Sequence, residues 1–409
     1  DKSIQLESGF GEVVLEIGTL EDPDKVTWSL PPSKSHMIRW LALSSQCPSN
    51  TELHFEGVPG KDVEVMANCM EFFGAEISRE SGKWIIGGNP SGSGSPIGNL
   101  WCGNSGTAAR VVTAMAAAMG TPTSIDGDNS LRGRDGSALS NALRNIGCNI
   151  SSESLPCTVE GALHSGSVEI DLSESSQALT AFLLASPRFP HGIEAKLLGK
   201  PVSRDYSELT VQICKTCGWS GSISERVPLE PWEVYTPGRV DIPGELSLFP
   251  LSILFDALHG TDTNARLPKV GFPRVLESIG SVIQCGGGRV DLRDASDIIT
   301  PAAFLMALGD GGEIVGASHS RGKESDRIQS TASLLREFGI DAKDTADGFE
   351  IMGGQELKKP EGAVRTYSDH RVAMTAIVLA TKVGGVIEGS EWCEISHPGF
   401  VKMICNGRG

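Results

Sequence analysis

The sequence predicts an α/β fold in two lobes, each assembled from repeated βαβ-type units. Three observations carry this. The chain has 409 residues, too many for one ordinary domain. An amphipathic helix, a glycine and a short strand recur in that order around Gly74, Gly147, Gly218, Gly280 and Gly339, and glycine suits the left-handed position after a helix. The copies lie roughly 60 to 75 residues apart, too far for a solenoid and right for a multi-element unit. A sixth copy is expected to open after residue 367 and run out at the C-terminus. Six units in two lobes give three per lobe.

Composition narrows the function. With 39% hydrophobic and 21% charged residues the chain is globular. A net charge of −16 argues against nucleic-acid or anionic-membrane partners, which need broad basic surfaces. Small anions remain open, since a few local cations can hold them. No apolar run approaches membrane-spanning length, and the N-terminal stretch shows no signal-peptide pattern. The ten cysteines lack framework spacing, so a reduced, cytoplasmic protein is expected. Cys214 and Cys217 form a CxxC inside a helical pattern and read as buried helical thiols rather than metal ligands.

In chain order, Glu12 to Ile17 and Lys25 to Leu30 read as strands, ending in LPPSKS. Pro31 and Pro32 cannot continue a paired strand and mark a first chain crossing. YTPGRVDIPGE, residues 235 to 245, has two Pro-Gly turns around a short strand and marks a second. The expected lobes are therefore 1–31 with 239–409, and 32–238. The stretch from Asn89 to Gly98, rich in Gly, Ser and Pro, reads as a surface loop.

Polar clusters recur at predicted helix starts. RGKESDR, Arg321 to Arg327, puts Ser325 or Asp326 near an N-cap ahead of Ile328, Leu334, Leu335 and Phe338. SKSHMIR, Ser33 to Arg39, follows the Pro-Pro with Ser33 as N-cap and Lys34, Ser35 and Arg39 in the first turns. GNSGTAAR, Gly103 to Arg110, turns into an Ala-rich helix where Gly106 lets an anion approach the backbone. It is no P-loop, because no GK[ST] follows. LRGRDG places Arg132 and Arg134 before a helix near Ser137, and SESSQAL places Ser175, Ser176 and Gln177 at another. RDASD sets Asp297 before an apolar helix as cap or base. YSDHRVAM brings Asp369, His370 and Arg371 to a last one. The helix dipole disfavours Lys and Arg at this end, so capping alone does not select them. The pattern is that of an inter-lobe cleft for ligands bearing several phosphates or carboxylates.

The ordered set SKS…R, GNSGTA.R, SSQ, KESDR and DHR resembles the 5-enolpyruvylshikimate-3-phosphate (EPSP) synthase family over nearly the whole chain, from Lys34 to Phe400. That resemblance implies an inside-out α/β barrel in each lobe, three βαβαββ units apiece. It implies transfer of the carboxyvinyl group of phosphoenolpyruvate to the 5-hydroxyl of shikimate 3-phosphate, by a monomer with no metal or organic cofactor. Lys34, Ser35, Arg39, Ser175, Ser176, Gln177, Ser203, Tyr206, Asp297 and Lys323 match the shikimate 3-phosphate contacts. Lys34, Gly106, Arg134, Gln177, Arg327 and Arg371 match those for phosphoenolpyruvate. Asp297 is expected as base, with Glu324, Lys34 or Lys323 as proton donor.

Four positions depart from the family pattern. Ile395 stands where a lysine is usual, Asp135 where a proline is, His319 where an asparagine is and Glu245 where an aspartate is. Loss of the cation at 395 is expected to weaken phosphoenolpyruvate binding about ten- to a hundredfold, and Asp135 to neutralise Arg134 in part. The rival reading is a carboxyvinyl transferase for another phosphorylated acceptor. The loop cysteine used by the relative acting on UDP-N-acetylglucosamine is missing from Asp128 to Gly136. The acidic balance speaks against an RNA 3′-phosphate cyclase.

Overall fold

The computed structural model describes residues 13–92, 98–161 and 163–406. The chain divides into two units, Asp1–Pro31 with Glu245–Gly409, and Pro32–Gly244. The second boundary lies past the expected 238/239, and pairing explains why. Strand Arg239–Asp241 runs parallel to Thr51–His54, so it belongs to the second unit.

Each sheet repeats one plan: a parallel pair, with antiparallel strands added on one side. In the second unit the plan appears three times. Arg239–Asp241 and Thr51–His54 are extended by Lys83–Gly87 and Glu76–Glu80. Gly98–Trp101 and Thr123–Asp126 are extended by Cys157–Glu160 and Asn149–Ile150. Gly166–Asp171 and Ile193–Leu198 are extended by Arg226–Leu229. In the first unit, Arg289–Asp291 and Gly311–Val315 carry Phe349–Met352 and Ala342–Asp344. Ala363–Arg365 and Gly385–Glu388 carry Val14–Ile17. The C-terminal copy therefore does not run out; the N-terminal strand completes it.

Gly74, Gly147, Gly218 and Gly339 all take positive φ, as a residue just past a helix end does in the left-handed cap. Gly280 is different. Helix Pro273–Ile283 runs through it, and no strand lies between Phe249 and Gly288. The described residues thus form five sheets, and where a sixth is expected the chain runs as two helices, Phe249–His259 and Pro273–Ile283, joined by irregular backbone. Lys25–Leu30 is also no strand: Val26 and Trp28 are buried, but the segment enters no ladder. Side-chain burial alone produced the alternating pattern. Of the other readings, Glu12 and residues 93–97 of the Gly/Ser/Pro-rich stretch lie outside the described residues.

Three mutually packed helices form each core. In the second unit they are Lys34–Ser44, Gly106–Met119 and Gln177–Ala185. In the first they are Phe249–His259, Ile299–Leu308 and His370–Val383. Ile299–Leu308 is apolar at nearly every position and almost wholly buried, so it has no polar face to give to water. Each of these helices except Phe249–His259 opens on one of the polar motifs, which a buried helix holds rigidly.

Candidate functional site

In the first unit the motif residues converge on Asp297, in the short turn Ser296–Ile298 that leads into Ile299–Leu308. Arg327 Nη1 donates to Asp297 Oδ1 at 2.6 Å, and its Nε to Asp369 Oδ2 at 2.9 Å. Arg327 Nη2 donates to Glu324. With 1% exposure, the Arg327 side chain is held among three carboxylates. Arg371 Nη2 lies 3.4 Å from Asp297 Oδ2, and Lys323 Nζ lies 4.0 Å from Asp297 Oδ1. Asp326 caps helix Arg327–Glu337 through the Gln329 amide, so that helix opens at Arg327 and not near Glu324. Asp369 caps His370–Val383 through the Arg371 amide.

Burial would raise the Asp297 carboxyl, but the charges of Arg371, Lys323 and Arg327 outweigh it and hold the group well below the usual range. Lys323 moves down. Burial drives that shift, Asp297 opposes it, and the Arg327 charge adds to it. Arg371 also donates to Ser247 O at 3.3 Å and Ser247 Oγ at 2.9 Å, and Ser247 Oγ donates to Glu245 Oε1 at 2.7 Å. Glu245 is thus tied to the cluster through a serine. His319 sits beside Lys323 and Asp297, and neither ring nitrogen finds a hydrogen-bond partner. Ile395 is buried in the turn Ser390–Ile395.

In the second unit the guanidinium groups of Arg39 and Arg134 donate to neutral oxygens. Arg39, 3% exposed, donates from Nε to Thr210 Oγ1 at 2.8 Å, from Nη1 to Ser35 O at 2.9 Å and from Nη2 to Tyr206 O at 3.1 Å. It thereby ties the SKS helix to helix Arg204–Thr216. Ser33 occupies the N-cap position, and its hydroxyl meets His36 Nδ1 at 2.9 Å rather than a backbone amide. Lys34 pairs with the buried Asp62 at 2.9 Å. Ser175 Oγ accepts from the Gln177 amide at 3.1 Å, and Ser176 is buried at the helix N-cap. Gln177 Nε2 donates to Thr107 Oγ1 at 3.1 Å. Arg134 Nη2 donates to Asn104 Oδ1 at 2.8 Å and Ser130 Oγ at 3.2 Å. The Asp135 carboxylate turns away to Ser137, accepting from its N and Oγ at 2.8 Å each. It forms no ion pair with Arg134, so the expected neutralisation is not by contact.

Backbone strain marks the same segments. Ser203, just before the first turn that carries Tyr206, has φ 53°, and Tyr367 and Ser368, just before Asp369, have φ 55° and 54°. Non-glycine residues in the left-handed region cost about 1–3 kcal/mol each and persist where their surroundings fix them.

Sequence reasoning missed Asp62 as the partner of Lys34, gave Asp369 no role beyond the motif, and passed over Ser247. All three are chosen by tertiary proximity. The acid at the start of helix Lys61–Phe72 reads as an ordinary first-turn residue. The CxxC thiols lie buried at the end of helix Arg204–Thr216, and burial pushes Cys217 up to about 12, which leaves it no thiolate at neutral pH.

Known proteins resemble most of the chain. The sequence profile of the family described as EPSP synthase (3-phosphoshikimate 1-carboxyvinyltransferase) matches residues 25–249 and 274–404. The unmatched residues fall where the sixth sheet is missing. The 3-phosphoshikimate 1-carboxyvinyltransferase of Thermococcus kodakarensis is 33% identical over 397 residues, covering 90% of this chain and 94% of that protein. The protein of the same name from Korarchaeum cryptofilum is 32% identical over 404 residues, covering 91% and 93%. An EPSP synthase structure from Acinetobacter baumannii has a TM-score of 0.75 at 20% identity over 97% of this chain and 98% of that one, a likeness of fold.

Proposed function

The chain belongs to the EPSP synthase family, and on that footing we propose that it transfers the carboxyvinyl group of phosphoenolpyruvate to the 5-hydroxyl of shikimate 3-phosphate, releasing phosphate. The product is the precursor of chorismate and the aromatic amino acids. In this reading the shikimate oxygen adds to C2 of the enol while C3 gains a proton. Phosphate then leaves C2 by C–O cleavage as C3 gives up a proton.

One observation carries the reading: an ionised carboxylate, Asp297, with Arg327, Arg371 and Lys323 within 4.0 Å. Asp297 accepts the hydroxyl proton. Two anionic substrates offset the surrounding cations, and the carboxylate becomes a stronger base as they bind. Among the three candidate donors to C3, Lys323 is favoured, because its lowered pKa eases proton release. Glu324 is engaged by Arg327 and Lys34 by Asp62, contacts that stabilise the carboxylate and the ammonium. The remaining cations stabilise charge developing on the departing phosphate.

Lys34, Ser35, Arg39, Ser175, Ser176, Gln177, Ser203, Tyr206, Asp297 and Lys323 then serve shikimate 3-phosphate. Lys34, Gly106, Arg134, Gln177, Arg327 and Arg371 serve phosphoenolpyruvate, and both units contribute to one reaction. The inside-out barrel, a monomeric state and a cytoplasmic location complete the reading. No helix among the described residues is long and apolar enough to cross a membrane. A phosphate-release assay tests it. Release is expected only with both substrates present; release from phosphoenolpyruvate alone, or activity confined to a different acceptor, contradicts it.

A further inference from the structure

We infer that Arg110 is a second anion-binding residue of the Gly106 turn, seating with Arg134 the phosphoryl group of phosphoenolpyruvate. The identity of that ligand rests on the reaction proposed above; the seat itself rests on geometry. Arg110 lies one turn into helix Gly106–Met119, where a side chain folds back toward the helix start. Its Nη1 donates to Gly106 O at 3.1 Å and its Nη2 to Asp135 O at 2.8 Å. A methyl group built on Gly106 would stand 3.0 Å from Arg110 Nη1, 3.1 Å from Arg134 Nη1 and 3.6 Å from Gln177 Oε1. The two Nη1 atoms therefore lie within about 6 Å of each other.

Every oxygen these two guanidinium groups touch is neutral. No carboxylate among the described residues pairs with either, and Arg134 Nε has no hydrogen-bond partner there. Nearby surface arginines differ: Arg132 pairs with Asp126, and Arg144 with Glu153. Burial, and then the Arg134 charge, lower Arg110 to about 10. Two half-buried like charges repel each other, and the Asp135 carboxylate, turned to Ser137, offsets that for Arg110 only in part and without contact. A phosphoryl dianion relieves that repulsion, accepts from both planar forks at once and meets the free amides of the helix start.

The test compares Arg110→Gln and Arg110→Lys with the wild type in two measurements: KM for each substrate, and thermal protection by inorganic phosphate. Arg110→Gln is expected to raise KM for phosphoenolpyruvate about ten- to a hundredfold, to leave KM for shikimate 3-phosphate within about threefold, and to lose the phosphate protection. Arg110→Lys, which keeps the charge without the fork, is expected to fall between and stands in should the glutamine variant fail to fold. Wild-type KM and wild-type phosphate protection in both variants would overturn the inference, as would a lowered Tm with substrate constants unmoved. Were the wild type inactive on the two substrates, the reaction would be refuted, yet phosphate protection that depends on Arg110 would still support the seat.

Discussion

The cations around Asp297 in one unit and around Gly106 in the other are held in opposite ways. Around Asp297, Arg327 is neutralised by three carboxylates, and Arg371 and Lys323 each make a further contact with Asp297 itself. Around Gly106, Arg110 and Arg134 are held by carbonyls, an amide and a hydroxyl. Arg39 is held likewise by Thr210, Ser35 and Tyr206. In the proposed reading the charge-balanced network holds Asp297 in place as base, and Arg110 and Arg134, which pair with no carboxylate among the described residues, keep positive charge for an incoming anion.

The largest break in this contrast is expected at Asp297. Asp297→Ala removes the base and leaves three cations facing one another, and turnover should fall about a hundred- to ten-thousandfold in steady-state assays. Lys34→Ala, in the other unit, should cost more than about tenfold. Next is Asp369→Ala. It strips a fully buried carboxylate from the buried Arg327, and urea unfolding should show about 3–5 kcal/mol less stability. No such change is open at Arg110 or Arg134, since among the described residues no buried carboxylate pairs with either.

Gly106→Ala should act more gently. Its methyl group would press on two guanidinium ends at 3.0 and 3.1 Å, which can swing by a few tenths of an ångström. KM for phosphoenolpyruvate should rise about three- to tenfold with little change in Tm. The smallest effect concerns pH. Burial, and then the Lys323 charge, lower His319 to about 4, while an unfolded imidazole titrates near 6.5. Between these values the unfolded chain binds a proton that the folded one refuses, so stability falls as pH drops from 6.5 toward 4. His319→Asn should flatten that slope in unfolding curves taken at pH 7, 6 and 5.

Much of this was legible in the sequence, for reasons that also explain the failures. Gly74, Gly147, Gly218 and Gly339 announced helix ends because left-handed backbone selects glycine. Gly280 misled because glycine is also tolerated inside a helix. The strand Val14–Ile17 was readable, but its partner, Gly385–Glu388, lies at the far end of the chain and no local signal names it. The positive side chains of the site stood out because helix starts disfavour them. Their partners did not: Asp62 and Asp369 look like any first-turn acid or cap until the fold brings them to Lys34 and Arg327. Arg110 was hidden because its approach to Arg134 across Gly106 is set by the fold and not by the local sequence.

The proposed reading assigns residues of both units to one pair of substrates, and the KM for phosphoenolpyruvate of Arg134→Gln and Arg371→Gln tests it most directly. The account predicts a rise of about tenfold or more for each, one substitution in each unit. A rise for one, with wild-type kinetics for the other, would contradict it.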